Sequence, residues 1–225
     1  MKKTIAAVLS LVLCLGLLAG CGKKNEEPAP DEAPAESTEP AAPEDTDEPA
    51  APEGIELGTI TAGDTADFEV SMEGQQVPVT MTKQTLGMGA DNISIDIYVD
   101  TELYKVEYYE GAYYIAPVEE GEGMPGTYVR LEYISGQSAD ILAEQALTGD
   151  SEAERTDGGM VKLGSYDAYQ VDFTGPDYAY YASSYYITGD SGTVCVSVML
   201  GEDNLEGHGP RFETMLNTMV INKAA

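Results

Sequence analysis

The sequence predicts an α+β fold: an antiparallel sheet with two helices packed on it, preceded by a β-hairpin and a disordered tether. Three observations lead there. From Ile55 onward, short runs of alternating apolar and polar residues recur between Gly-containing breaks, the mark of half-buried strands. Two segments, Ala139–Leu147 and the stretch after Pro210, instead space their apolar residues for one face of a helix. Each helix follows a block of strands, an order that fits an antiparallel sheet with helices laid on it and not a βαβ repeat.

The chain opens differently. Lys2 and Lys3 precede an apolar segment, Ile5 to Leu18, that ends in Leu18-Ala19-Gly20-Cys21. A basic start, an apolar middle and small residues at the end are the three parts of an export signal. Fourteen residues is too short for a membrane-crossing helix, which needs about 20. The tetrapeptide resembles the lipobox of bacterial lipoproteins. That resemblance implies removal of residues 1–20, a diacylglycerol thioether on Cys21, and retention on the outer face of the bacterial cytoplasmic membrane. Two acyl chains hold a protein stably where one binds only marginally.

Residues 21–53 follow as a tether. Between Gly22 and Glu53 stand seven prolines, eleven acids and seven alanines, with Lys23 and Lys24 the only bases. Such a segment cannot bury enough apolar surface to offset its ordering entropy. At about 3.1 Å per residue in polyproline II it reaches up to roughly 100 Å, enough to lift a domain off the membrane. Residues 54–225 remain for the α+β domain, 172 residues, sufficient for one good core.

The strands are expected in turn. Phe68, Val70 and Met72 alternate up to Glu73-Gly74, and Val77 to Met81 resumes the pattern as a hairpin whose second strand, carrying Pro78, belongs at an edge. Ile93, Ile95, Ile97 and Val99 give the clearest half-buried strand. Leu103–Tyr109 and Ala112–Val118 flank Glu110-Gly111; a two-residue turn sets Tyr108 opposite Tyr113 and Val106 opposite Ile115. The other face then carries Lys105, Glu107, Tyr109 and Tyr114. Tyr128–Ile134 is a further strand, and Ser135–Ser138 leads into the first helix, which Thr148-Gly149 stops. Met160–Leu163 and Tyr166–Phe173 pair around Gly164-Ser165, with Tyr169, Val171 and Phe173 as an inward-facing set. The last hairpin joins Tyr178–Ile187 to Thr193–Leu200 near the sheet centre, pairing Ile187 with Val194 and Tyr186 with Cys195. Pro210 suits the first position of the final helix, where Phe212, Met215, Leu216 and Met219 share a face, and Val220-Ile221 closes with a short strand.

The segments around Leu163–Tyr169, Tyr185–Ile187 with its Gly-Asp turn, and Phe212–Leu216 ahead of Met219-Val220-Ile221 resemble PsbP-like domains over residues 90–222. The resemblance implies an antiparallel sheet with helices on its faces and a non-catalytic accessory or partner-binding role. None of that family's binding motifs maps onto residues here.

Charge narrows the partners. With 40 acids against 11 bases the formal charge is −29, which repels phosphate backbones and anionic bilayers and so excludes nucleic acid, leaving the lipid on Cys21 as the membrane contact. Of three cysteines, Cys14 is in the leader and Cys21 takes the lipid, so Cys195 stands without a disulfide partner, a small hydrophobe in a strand. Gly189-Asp190-Ser191-Gly192 copies the string around a serine-protease nucleophile, but the sole histidine, His208, lies at a helix entrance and the string suits a hairpin turn. Neither Glu119, Glu120 and Glu122 nor Asp150, Glu152 and Glu154 has the spacing of a calcium loop. No catalytic set, metal or cofactor is expected. Fifteen tyrosines against three phenylalanines and no tryptophan are the chemical oddity. If their sheet face is open, Tyr109 and Tyr114 form an aromatic patch for a glycan, peptide or protein. The sequence thus points to a membrane-anchored extracytoplasmic lipoprotein with a non-catalytic domain for an envelope partner or ligand. A carboxylate-based hydrolase and a solute-binding receptor are the alternatives, and the sequence sets no oligomeric state.

Overall fold

The computed structural model describes residues 56–89, 92–119 and 126–223. The leader, Cys21 and the acidic segment to Glu53 lie outside the described residues. The chain forms β1 (Ile60–Met72), β2 (Gln75–Gly87), β3 (Ile93–Val99), β4 (Tyr104–Tyr109), β5 (Ala112–Pro117) and β6 (Tyr128–Ser135), then α1 (Ala139–Thr148). After it come β7 (Glu154–Leu163), β8 (Tyr166–Thr174), β9 (Tyr180–Thr188), β10 (Gly192–Gly201), α2 (Leu205–Asn217) and β11 (Val220–Lys223). One antiparallel sheet has four strands in the order β1-β2-β3-β11, the other seven in the order β4-β5-β6-β10-β9-β8-β7.

The expected α+β class is overturned. Strands hold 59% of the described residues, and the architecture is a β-rich sandwich of two sheets, not a single sheet bearing helices. The hairpin placed ahead of the domain is half of the smaller sheet, and its Val70, Met81 and Leu86 are fully buried in the common core. Its extent was hidden because Ile60–Thr65 are exposed on both faces and carry no alternation. The same holds for β7, an edge strand whose polar first half, Glu154 to Gly159, reads as a loop.

Where a two-residue turn fixes register, sequence and structure agree. Glu73 and Gly74 (φ 50° and 78°) and Glu110 and Gly111 (φ 47° and 88°) put positive φ at both central positions, the condition for hairpin turns whose twist matches the strands. Val106 faces Ile115 and Tyr108 faces Tyr113 as expected. Across the longer connection between β9 and β10, Ile187 likewise faces Val194 and Tyr186 faces Cys195, and β10 is the central strand of its sheet.

Three smaller expectations fail. Pro78 is not on an edge strand, since β2 lies between β1 and β3; β3 pairs only with Thr82–Gly87, however, so β2 has a single neighbour around Pro78. Tyr169, Val171 and Phe173 share the sheet face away from the sandwich core, where Val171 is buried and Tyr169 is 36% exposed. Pro210 lies inside α2, not at its start, and removes one hydrogen bond from that helix.

The helices cover different faces of the larger sheet. α1 buries Ala139, Leu142 and Ala143 over β7, β8 and β9 on the outer face. α2 drives Phe212, Met215 and Leu216 into the core, against β1 and β3 of the smaller sheet and β10 of the larger. A buried hydroxyl links the sheets: Tyr113 of β5 donates to the Gly87 carbonyl at the end of β2 and accepts from the Gly58 N–H at 2.8 Å. Removing that oxygen strands two backbone groups. Tyr113→Phe should therefore lower unfolding free energy by about 1–3 kcal/mol in urea titration, and an unchanged midpoint would show that the clasp contributes nothing.

Candidate functional site

Where α2 crosses the inner face of β7–β10, a groove of about 300 Å³ remains open. Its walls are apolar: Val161 and Leu163 from β7, Val198 and Leu200 from β10, Phe212 and Leu216 from α2. The β7–β8 turn closes in because Gly164, at φ 58°, lies against the Leu216 and Asn217 carbonyls, where a side-chain carbon would sit 3.3 Å from each.

The floor is polar, and strand register builds it. Gln170 is paired with Tyr185 across β8 and β9, and Asp172 with Ser183, so these four side chains share the inner face. The Gln170 Nε2–H donates to Asp172 Oδ1 at 2.7 Å and the Ser183 hydroxyl donates to the same oxygen at 2.6 Å. Tyr185 reaches Ser183 in turn. Burial pushes the Tyr185 phenol above its ordinary value; the Ser183 contact lowers it, while the negative charges of Asp172 and of Glu213 on α2 raise it. Asp172 does not itself line the groove, and Glu213 stands at the rim with Asn217.

The outer face of the same sheet holds the residues singled out by their tyrosines. Tyr109 and Tyr114 do share that face, but their surroundings differ. Tyr109 is 55% exposed and donates to Glu110 at 2.9 Å. Tyr114 is 8% exposed: Tyr128 meets it edge-on at 5.4 Å between ring centres, and Arg130 Nε donates to its hydroxyl at 3.1 Å. Arg130 also forks onto both carboxylate oxygens of Glu132. Tyr114 is thus a packed member of a tyrosine–guanidinium–carboxylate cluster. Cys195 lies opposite Glu132 and Tyr186, buried; burial first, and the Glu132 charge second, push its thiol up to about 12.

His208 sits on α2 with Nδ1 2.7 Å from the Tyr104 hydroxyl and its ring edge-on to Tyr104 and tilted against Phe212. Ser191 lies in the β9–β10 turn, its Oγ 3.2 Å from the Tyr133 hydroxyl, while neighbouring Asp190 pairs with Lys223 at 3.1 Å. Asp150, Glu152 and Glu154 line the exposed path from α1 into β7; Glu120 and Glu122 lie outside the described residues. Among the described residues, no group of three or more His, Cys, Asp or Glu side chains is placed to hold a metal. No described helix is long and apolar enough to cross a membrane.

Sequence reasoning missed the groove through one error of parity. Assigning Tyr169, Val171 and Phe173 to the inside placed Gln170 and Asp172 outside, and a one-residue shift exchanges the two faces of a strand. The available signal was Ala168, small and apolar, in the same alternate row as Gln170 and Asp172; it is buried in the core with Tyr166 packed against it.

No protein-family model matches the chain, and no curated protein matches it. A crystal structure from Bacteroides thetaiotaomicron VPI-5482 is similar over 57% of this chain and 45% of that one, with 13% identity and a TM-score of 0.38.

The buried Cys195 thiol should resist alkylation by iodoacetamide at pH 8 in the folded protein and react once urea unfolds it. Equal rates in both states would contradict its placement beneath the outer face.

Proposed function

We propose that this chain is a lipid-anchored extracytoplasmic binding protein, held by Cys21, spaced from the membrane by the acidic tether, and taking its ligand in the α2 groove without transforming it. The observation that carries the reading is the groove itself: a concave site with apolar walls and a few convergent polar groups, at the small end of the sizes ligand pockets take. Leu18-Ala19-Gly20-Cys21 after an apolar segment supports the anchor. Exclusion of nucleic acid rests on the charge of −29.

A carboxylate-based hydrolase has one observation in its favour: Asp172 and Glu213 both act on Tyr185. Asp172, however, is occupied by Gln170 and Ser183 and does not line the cavity. Binding is the better-supported reading.

Two experiments test it. Cys21→Ser should abolish metabolic acyl labelling and shift the protein from the membrane fraction to the soluble one; label retained on the variant ends the anchoring claim. Gly209 lines the groove from α2, and a Cβ there meets Leu200 at 3.7 Å, an ordinary contact. Gly209→Leu should fill the site, while the Pro210 ring, which crowds a Cβ on the helical residue before it, offsets the propensity gain over glycine. Small molecules released from protein purified from its own membranes should fall at least tenfold in the variant while it still unfolds cooperatively; unchanged recovery would remove the groove from the account.

A further inference from the structure

Every groove admits water, so the question is which ligand would displace it here. The floor answers through the direction of its hydrogen bonds. Ser183 has one proton and gives it to Asp172, so its oxygen presents only lone pairs to the groove. One Gln170 amide hydrogen goes to Asp172 as well. Two donors are thereby spent on one carboxylate, leaving oxygen lone pairs of Tyr185, Ser183 and Gln170 on the groove side.

Charge points the same way. Glu213 stands at the rim, and Lys162, the one basic side chain in the lining, is paired with Asp167 at 2.8 Å. Above the floor the walls are apolar on both sides, from β7 and β10 and from α2. A ligand that fits presents hydrogens and positive charge at one end and hydrocarbon along its length. An acid would meet the Glu213 carboxylate, and a neutral apolar molecule would bury the floor's lone pairs without partners.

We propose that the groove binds a primary alkylammonium group, its N–H hydrogens on Ser183, Tyr185 and Gln170, its charge facing Glu213, and its apolar arm between α2 and the sheet. This rests on the groove being the binding site and adds the chemistry of what enters. An ammonium has three donors on a compact charge, which matches several converging oxygens. The acidic surface attracts cations everywhere. What separates the groove from that surface is the apolar wall, which rewards an arm that a bare cation lacks.

The test is calorimetric titration of the full-length lipidated chain in non-ionic detergent, at 0.15 M salt, with n-hexylammonium, 1-hexanol, hexanoate and hexyltrimethylammonium. n-Hexylammonium should bind at least about tenfold more tightly than 1-hexanol and than the trimethyl analogue, which has no N–H, and hexanoate should not bind. Glu213→Gln, an exposed helix position, should weaken n-hexylammonium about tenfold and leave 1-hexanol within twofold. Gly209→Leu should abolish both. Equal affinities for n-hexylammonium and 1-hexanol, both lost in Gly209→Leu, overturn the ammonium assignment and leave the groove as a binding site. Binding of n-hexylammonium unaffected by Gly209→Leu places it on the acidic surface and overturns the assignment. Failure of every probe on the unaltered protein also overturns it, while the recovery of native small molecules independently decides whether the groove binds anything.

Discussion

The pairing of Arg211 with Asp100 fixes the geometry on which the groove depends. Asp100 follows β3, where the chain leaves the smaller sheet for the larger, and Arg211 projects from α2; Nη1 and Oδ2 lie 2.7 Å apart with side chains only 15% and 4% exposed. The Asp100 carbonyl also accepts from the Leu103 and Tyr104 amides, and the Tyr104 hydroxyl meets His208 one turn back on α2. Helix, crossover and strand β4 are therefore tied at one point. Breaking a buried ion pair by removing one partner leaves an uncompensated charge, at about 3–5 kcal/mol. Such a pair is weak as a source of net stability, but it allows α2 one seat. That seat provides the second wall of the groove.

Burial and charge reinforce the arrangement. Phe212, Met215 and Leu216 anchor the inner side of α2, so Glu213 and Asn217 must face outward along the groove rim. On the sheet, the inward row of β9 runs Ile187, Tyr185, Ser183, and the core ends where that row turns polar. The smaller sheet covers the apolar part of the larger one and leaves the polar part for α2 to roof. One physical transition along two strands thus places hydrogen-bonding groups beside hydrocarbon.

The outer face follows a different logic. Tyr114, Arg130 and Glu132 satisfy one another, and α1 shields the neighbouring strands instead. A chain with 11 basic residues sets Arg130, half-buried, in the middle of a sheet, which stiffens that face without leaving converging groups unmatched. The excess of tyrosine therefore divides in two. Tyr113, Tyr114 and Tyr104 are structural rings whose hydroxyls found protein partners, and Tyr185 is aimed at a cavity.

Much of the strand order was legible because Glu-Gly turns lock register and Ile93–Val99 alternates without interruption. The sandwich was not, because strands exposed on both faces carry no hydrophobic period; Ile60–Thr65 and the first half of β7 are of that kind. The groove depended on the parity of β8, which Tyr169, Val171 and Phe173 disguised by being the more apolar row while lying under and beside α1. Pro210 misled in the same way, since local preference places proline at a helix start, whereas α2 begins at Leu205, five residues before it. The most direct measurement is a crystal structure of the protein purified from its own membranes. Ordered density touching Ser183, Tyr185 and Glu213 between α2 and β9 is the predicted result; a groove closed by its own Leu200 and Leu216 side chains, with a bound molecule on the outer tyrosine face, would contradict the account.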